Sequence, residues 1–261
     1  MEPIDLVGLA AHPDDVELSC AGTMVLAKKQ GKRTAIIDLT RGELSTRGTL
    51  ETRAAETKEA TRVMGLDERI NLGMPDGNIE LSQSNLMQVI QALRTMRPTV
   101  LLTPHKHERH PDHEAASELA HRANFYSGLA KIETHDAEGN PQKPHRPLLV
   151  LQYMQTYTFD PKIILDVSSV FEARMAAVNA YGSQFSRPLF QTSKKGLEPG
   201  TGKHRDDGPV TFLSQSGFYE WIEARARHYG MLIGAEYGEP FWSYEVLGVR
   251  DLFGLVTKRV S

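Results

Sequence analysis

Cys20 is the only cysteine among 261 residues. No internal disulfide can form, which excludes the stapled secreted scaffolds and points to a reducing, cytoplasmic setting. A lone thiol reads first as a small buried apolar residue and only second as a nucleophile. An excess of one charge is also lacking: 30 Lys and Arg against 33 Asp and Glu leave a net charge of -3, which argues against nucleic acid or an anionic membrane as main partner. No apolar run approaches the length of a spanning helix, and no basic stretch leads into an apolar segment at the start. No glycine fingerprint follows the first apolar run, and there is no Gly-x-Ser-x-Gly elbow. Gly200-Thr201-Gly202-Lys203 fails as a phosphate loop, since Leu197 stands where the first glycine belongs and His204 replaces Ser or Thr.

What is present is ordinary globular material, 40% hydrophobic and 24% charged, enough for a single domain over 1–261 with a sizeable core. Strand-like stretches at 4–10, 34–40, 69–72 and 99–103 alternate with helix-like stretches at about 20–30, 49–64, 84–97 and 113–127. Later strands are predicted at 148–154 and 163–167, and helices at 169–181 and 216–229. The order predicts an α/β fold, a Rossmann-like three-layer sandwich with a mostly parallel central sheet. Residues 186–210, rich in Gly, Pro, Lys and Asp, read as a long exposed loop.

Two polar clusters leave strands of this pattern. Ala11-His12-Pro13-Asp14-Asp15 follows the first, and Arg109-His110-Pro111-Asp112-His113 follows the fourth. In a doubly wound sheet of order 3-2-1-4-5-6 these strands are neighbours, and their C-terminal ends open on one crevice. His12, Asp15 and His113 then form a three-ligand set that suits Zn²⁺ and leaves a position for water; Fe²⁺ fits the same donors. Asp14 is free to take a proton from that water. His110, with Asp112 holding one of its ring nitrogens, would stay cationic and serve an oxyanion or a leaving amine. Either cluster alone is more readily a turn with a helix cap; the pair, each behind a strand, is what points to a metal site. Arg53 and Arg109 are candidate anion ligands. Arg41 and Arg47 read as solvated surface, and His105 and His107 as lining of the entrance.

His12-Pro-Asp-Asp15 with His110-Pro-Asp-His113 resembles the LmbE-like (PIG-L) family of zinc-dependent N-acetylglucosaminide deacetylases. Asp38 to Arg53, Asn71 to Asp76, Ala224 to Gly230 and Tyr237 to Phe241 look like its bacillithiol-biosynthesis branch, which acts on N-acetyl-glucosaminyl malate. The resemblance implies His12, Asp15 and His113 as metal ligands, Asp14 as base, and His110 with Asp112 as assisting pair. It further implies an amino-sugar substrate and a homo-oligomer, a trimer or hexamer. Ser19-Cys20-Ala21 departs from the family's glycine-rich stretch, and His105-Lys106-His107-Glu108 from its usual approach to Arg109. A deacetylase of chitin-type oligosaccharides and a silent sugar- or metal-binding protein on the same scaffold are the alternatives.

Overall fold

The computed structural model describes residues 2–185, 190–193, 196–199, 209–215, 217–249 and 251. The apolar runs become strands β1 (Leu6–Ala10), β2 (Thr34–Asp38), β3 (Glu68–Asn71), β4 (Val100–Pro104), β5 (Leu149–Tyr153) and β6 (Ile163–Asp166). β7 (Phe190–Ser193), β8 (Gly196–Pro199) and β9 (Gly238–Trp242) follow. The helices are α1 (Asp15–Lys29), α2 (Leu50–Met64), α3 (Gln83–Met96), α4 (Pro111–Ser127), α5 (Phe171–Asn179) and α6 (Phe218–Ile233).

Seven strands form one sheet in the order β3-β2-β1-β4-β5-β9-β6. β1 to β5 pair in parallel, and β1 lies beside β4, as the doubly wound order requires. Period-two alternation divides the core into two layers. Leu6 and Ala10 of β1 and Ile36 of β2 pack with α1, α2, α5 and α6. Val7, Leu9, Ala35 and Ile37 pack on the other face with α3 and α4. Gly8 is required by close approach: a Cβ there would lie 2.9 Å from Cγ2 of Val16 on α1. Thr49 and Ser82 cap α2 and α3 through their hydroxyl oxygens, and Gly65 ends α2 at φ +67°.

Three expectations are corrected. β9 intervenes between β5 and β6 and runs antiparallel to both, so the sheet is mixed at that edge. Helix α1 starts at Asp15, five residues early, and Cys20 leaves helical geometry at φ -147° and ψ 25°. The span 186–210 is not all loop: β7 and β8 pair as an antiparallel hairpin. The rest of that span up to residue 208, with Gly200 to Lys203, lies outside the described residues.

Candidate active site

The turn out of β1 places three acidic and basic groups in one spot. Asp14 is the N-cap of α1 and adopts φ 117°, a conformation sparsely populated by anything but glycine and costing about 1–3 kcal/mol. The His12 N–H donates to Asp15 Oδ2 at 2.9 Å, closing the turn. Arg53, from α2, donates to the Pro13 carbonyl through Nε at 3.1 Å and Nη2 at 2.6 Å. The same Nη2 lies 3.0 Å from Asp14 Oδ2 without hydrogen-bond alignment. Burial pushes the Asp14 carboxyl up to about 7; Arg53 opposes the shift and the Asp15 charge adds to it. A carboxyl poised there suits proton transfer at neutral pH.

The turn out of β4 brings the second cluster. His110 is the N-cap of α4, with Pro111 at the first helical position. Its Nδ1 accepts the Asp112 backbone N–H at 3.2 Å, so in the neutral ring Nε2 carries the proton. The Asp112 carboxylate does not reach the His110 ring as expected. Its Oδ2 lies 3.2 Å from His12 Nε2 and accepts the Gly77 N–H at 2.7 Å. Burial, then the neighbouring His12 and His113, lowers the His110 pKa, so the ring is the neutral donor and not the expected cation.

His12 and His113 meet at Asp15. His113 Nε2 is 3.2 Å from Asp15 Oδ1, and His12 Nδ1 is 3.7 Å from Asp15 Oδ2. One donor atom from each of the three lies within 4.8 Å of the others. His12 Nε2 faces both Asp76 Oδ1, at 3.0 Å, and Asp112. Two carboxylates on one ring nitrogen hold the proton there and leave Nδ1 with its lone pair toward Asp15, the outer-shell arrangement of metal-binding histidines. Burial resists charge on His12, yet Asp112, Asp15 and Asp76 raise its pKa well above the usual value. This excess of negative charge, with His113 Nδ1 buried and unpartnered, fits a divalent cation in place of the proton. His12, His110 and Asp112 form a second group of the same spacing. Their atoms are already engaged with Gly77 N–H, Asp112 N–H and each other, so the set around Asp15 is the better cradle.

Asp76, Gln155 and Arg225 belong to the site without having been singled out from the sequence. Asp76 Oδ2 accepts the Leu44 N–H at 2.7 Å; burial is outweighed by His12 and that N–H, and its carboxyl falls to about 2. Gln155 Nε2 donates to Asp15 Oδ1 at 2.8 Å. All three border or enclose a cavity of about 350 Å³ that also exposes His12, Asp14, His110 and His113. Arg53 and Arg109 line it too, Arg109 with its guanidinium 5.4 Å from the Phe212 ring. Arg47, expected on the solvated surface, also lines the cavity and donates to the Ser183 carbonyl at 3.0 Å. His105 does not line it: this ring is buried against Phe159 and Trp242. His107 is exposed and outside it.

A family model described as GlcNAc-PI de-N-acetylase, PIG-L, matches residues 7–124, the segment that holds both clusters. The crystal structure of the conserved protein TT1542 from Thermus thermophilus is 37% identical at a TM-score of 0.78, covering 95% of this chain and 98% of that one. This chain belongs to the PIG-L, LmbE-like family. Other relatives carry more specific names. Diacetylchitobiose deacetylase of Thermococcus kodakarensis is 26% identical over 190 residues, 69% of this chain and 70% of that protein. A probable N-acetyl-alpha-D-glucosaminyl L-malate deacetylase 2 of Bacillus anthracis is 25% identical over 256 residues, 89% and 92% of the two chains.

Proposed function

We propose that this protein is a metal-dependent N-deacetylase of N-acetylglucosamine derivatives, with N-acetyl-glucosaminyl malate as its substrate. The observation that carries the reading is Asp14, a buried carboxyl at about 7, beside a convergent His12, Asp15 and His113 donor set on one cavity. His12, Asp15 and His113 hold the metal, Zn²⁺ or Fe²⁺. When bound, the ion supplies Lewis-acid polarisation of the acetyl carbonyl.

Asp14 takes the proton of the water that attacks the acetyl carbon. His110 donates a hydrogen bond from Nε2 to the developing oxyanion and keeps its proton, while Asp14 passes the proton taken from the water to the amine nitrogen as the C–N bond breaks. Acetate and the free amino sugar are the products. Asp112 and Asp76 orient His12, and Arg53 holds Asp14 while facing the substrate. Arg109 meets the substrate at the mouth. The reading also takes the protein to be a cytoplasmic homo-oligomer, a trimer or hexamer, as the family resemblance implies.

The test is acetate release by Zn²⁺-loaded protein from N-acetyl-glucosaminyl malate and from diacetylchitobiose, side by side. Turnover of the malate glycoside with the higher kcat/KM is expected. Preference for chitobiose would transfer the assignment to the oligosaccharide deacetylases, and acetate from neither would leave a silent binding protein.

A further inference from the structure

Arg225, on α6, lines the catalytic cavity and is only partly exposed. Its Nη1 donates to the Gln155 carbonyl and its Nη2 to the Leu18 carbonyl at 2.8 Å. Its face lies 4.5 Å from the Trp221 ring centre. No carboxylate of the described residues comes within ion-pair distance of it. The two acids whose charges act on it, Glu239 and Glu108, are hydrogen-bonded to other groups. Glu239 accepts from Arg174 Nε, from the Gly22 N–H, and from the N–H and hydroxyl of Thr23. Glu108 accepts the backbone N–H groups of Arg109, Gln155 and Thr156.

An enclosed guanidinium with no carboxylate in ion-pair contact is costly even where Glu239 and Glu108 favour its charge from farther off, and tethering two carbonyls does not require the charge. A guanidinium has five N–H groups in a planar fork, and two hydrogen bonds to carbonyls leave donors over. Arg225 is also close to the chemistry: the residue whose carbonyl it grips, Gln155, reaches Asp15 with its side chain. The cavity is therefore acidic around His12 and cationic one glutamine away. The other arginines are less suited to this task. Arg53 is spent on Pro13 and Asp14, and Arg109 is exposed at the mouth.

We propose that Arg225 is the specificity-determining residue that binds the carboxylate of an acidic aglycone, so that the site selects anionic amino-sugar glycosides over neutral ones. Burial, and then the like charge of Arg174, brings its pKa down only to about 10, so it remains a cation at neutral pH. The proposal rests on the deacetylase reading and deepens it.

The experiment is steady-state kinetics of Arg225→Gln and Arg225→Lys on N-acetyl-glucosaminyl malate and on diacetylchitobiose. Removing a charge-assisted bond of this kind costs about 10- to 100-fold. Arg225→Gln is expected to lower kcat/KM for the malate glycoside by about that factor more than for chitobiose, mainly through KM. Arg225→Lys, which keeps the charge without the fork, should fall between, and it decides alone where the Gln variant does not fold. Equal losses on both substrates would mean that Arg225 only tethers Gln155 and Leu18, and would overturn the proposal. Should the wild-type protein release acetate from neither sugar, the deacetylase reading fails separately. Calorimetric titration of glucosaminyl malate into wild-type and Lys-variant protein then decides the anion site: weaker binding to the variant supports it and equal binding overturns it.

Discussion

Asp14 combines two costs in one residue, a left-handed backbone and a buried carboxyl pushed up to about 7. A carboxyl whose pKa is raised by folding contributes full stability below its unfolded value, near 4, and loses it as pH rises through 7. Above that pH, the three-unit displacement corresponds to a deficit on the order of 4 kcal/mol at most. Asn carries no such deficit and tolerates the left-handed region. Asp14→Asn is therefore expected to keep its metal and lose two or more decades of kcat. In chelator, the variant should be more stable than wild type at pH 8, with the advantage shrinking toward pH 5. Urea unfolding at both pH values checks this; a stability difference that does not change with pH would remove the titration of Asp14 from the account.

At the scale of elements, α1 is two helices joined at Cys20, and β9 is the strand that makes the break tolerable. The interruption frees the Leu18 carbonyl, which Arg174 and Arg225 take up. It also exposes the N–H groups of Gly22 and Thr23, which Glu239 of β9 accepts. Glu239 and Arg174 are 1% exposed each, so removing one partner leaves the other buried and unpaired. Glu239→Ala should cost about 3–5 kcal/mol, read as a drop in the urea midpoint; a loss below about 1 kcal/mol would show that the pair is not what holds the break.

The same elements show what local pattern conveys. β1, β2 and β4 are runs of buried aliphatics and are legible as such. β9 is Gly-Glu-Pro-Phe-Trp, whose first three residues disfavour strands; it exists because Glu239 has partners on α1 and α5. The first turn of α1 was hidden for a related reason, since Asp14 and Asp15 look like loop until the Arg53 and Gln155 contacts are known.

For the whole molecule, a metal held by His12, Asp15 and His113 would link its binding to folding, because these donors converge only in the folded chain. Zn²⁺ at 100 times its dissociation constant should add about 2.7 kcal/mol to the unfolding free energy, raising Tm by roughly 5–10 °C for a chain of this size. His113→Ala should abolish that increment. Scanning calorimetry of chelated and Zn²⁺-loaded protein tests it, and an equal rise in the variant would place the ion elsewhere.

The order of β1 to β5 and the types of group in the two clusters were set by the sequence itself, because strand periodicity, helix caps and the residues behind each strand are local properties. Only the tertiary structure decided how those groups pair. Asp112 serves His12 instead of His110. Asp76 joins His12 from 64 residues away, and Gln155 reaches Asp15 across 140. Such pairings depend on how strands, helices and loops pack and on the direction each side chain takes from its backbone. No local pattern encodes those distances, and they are what turn two motifs into one site.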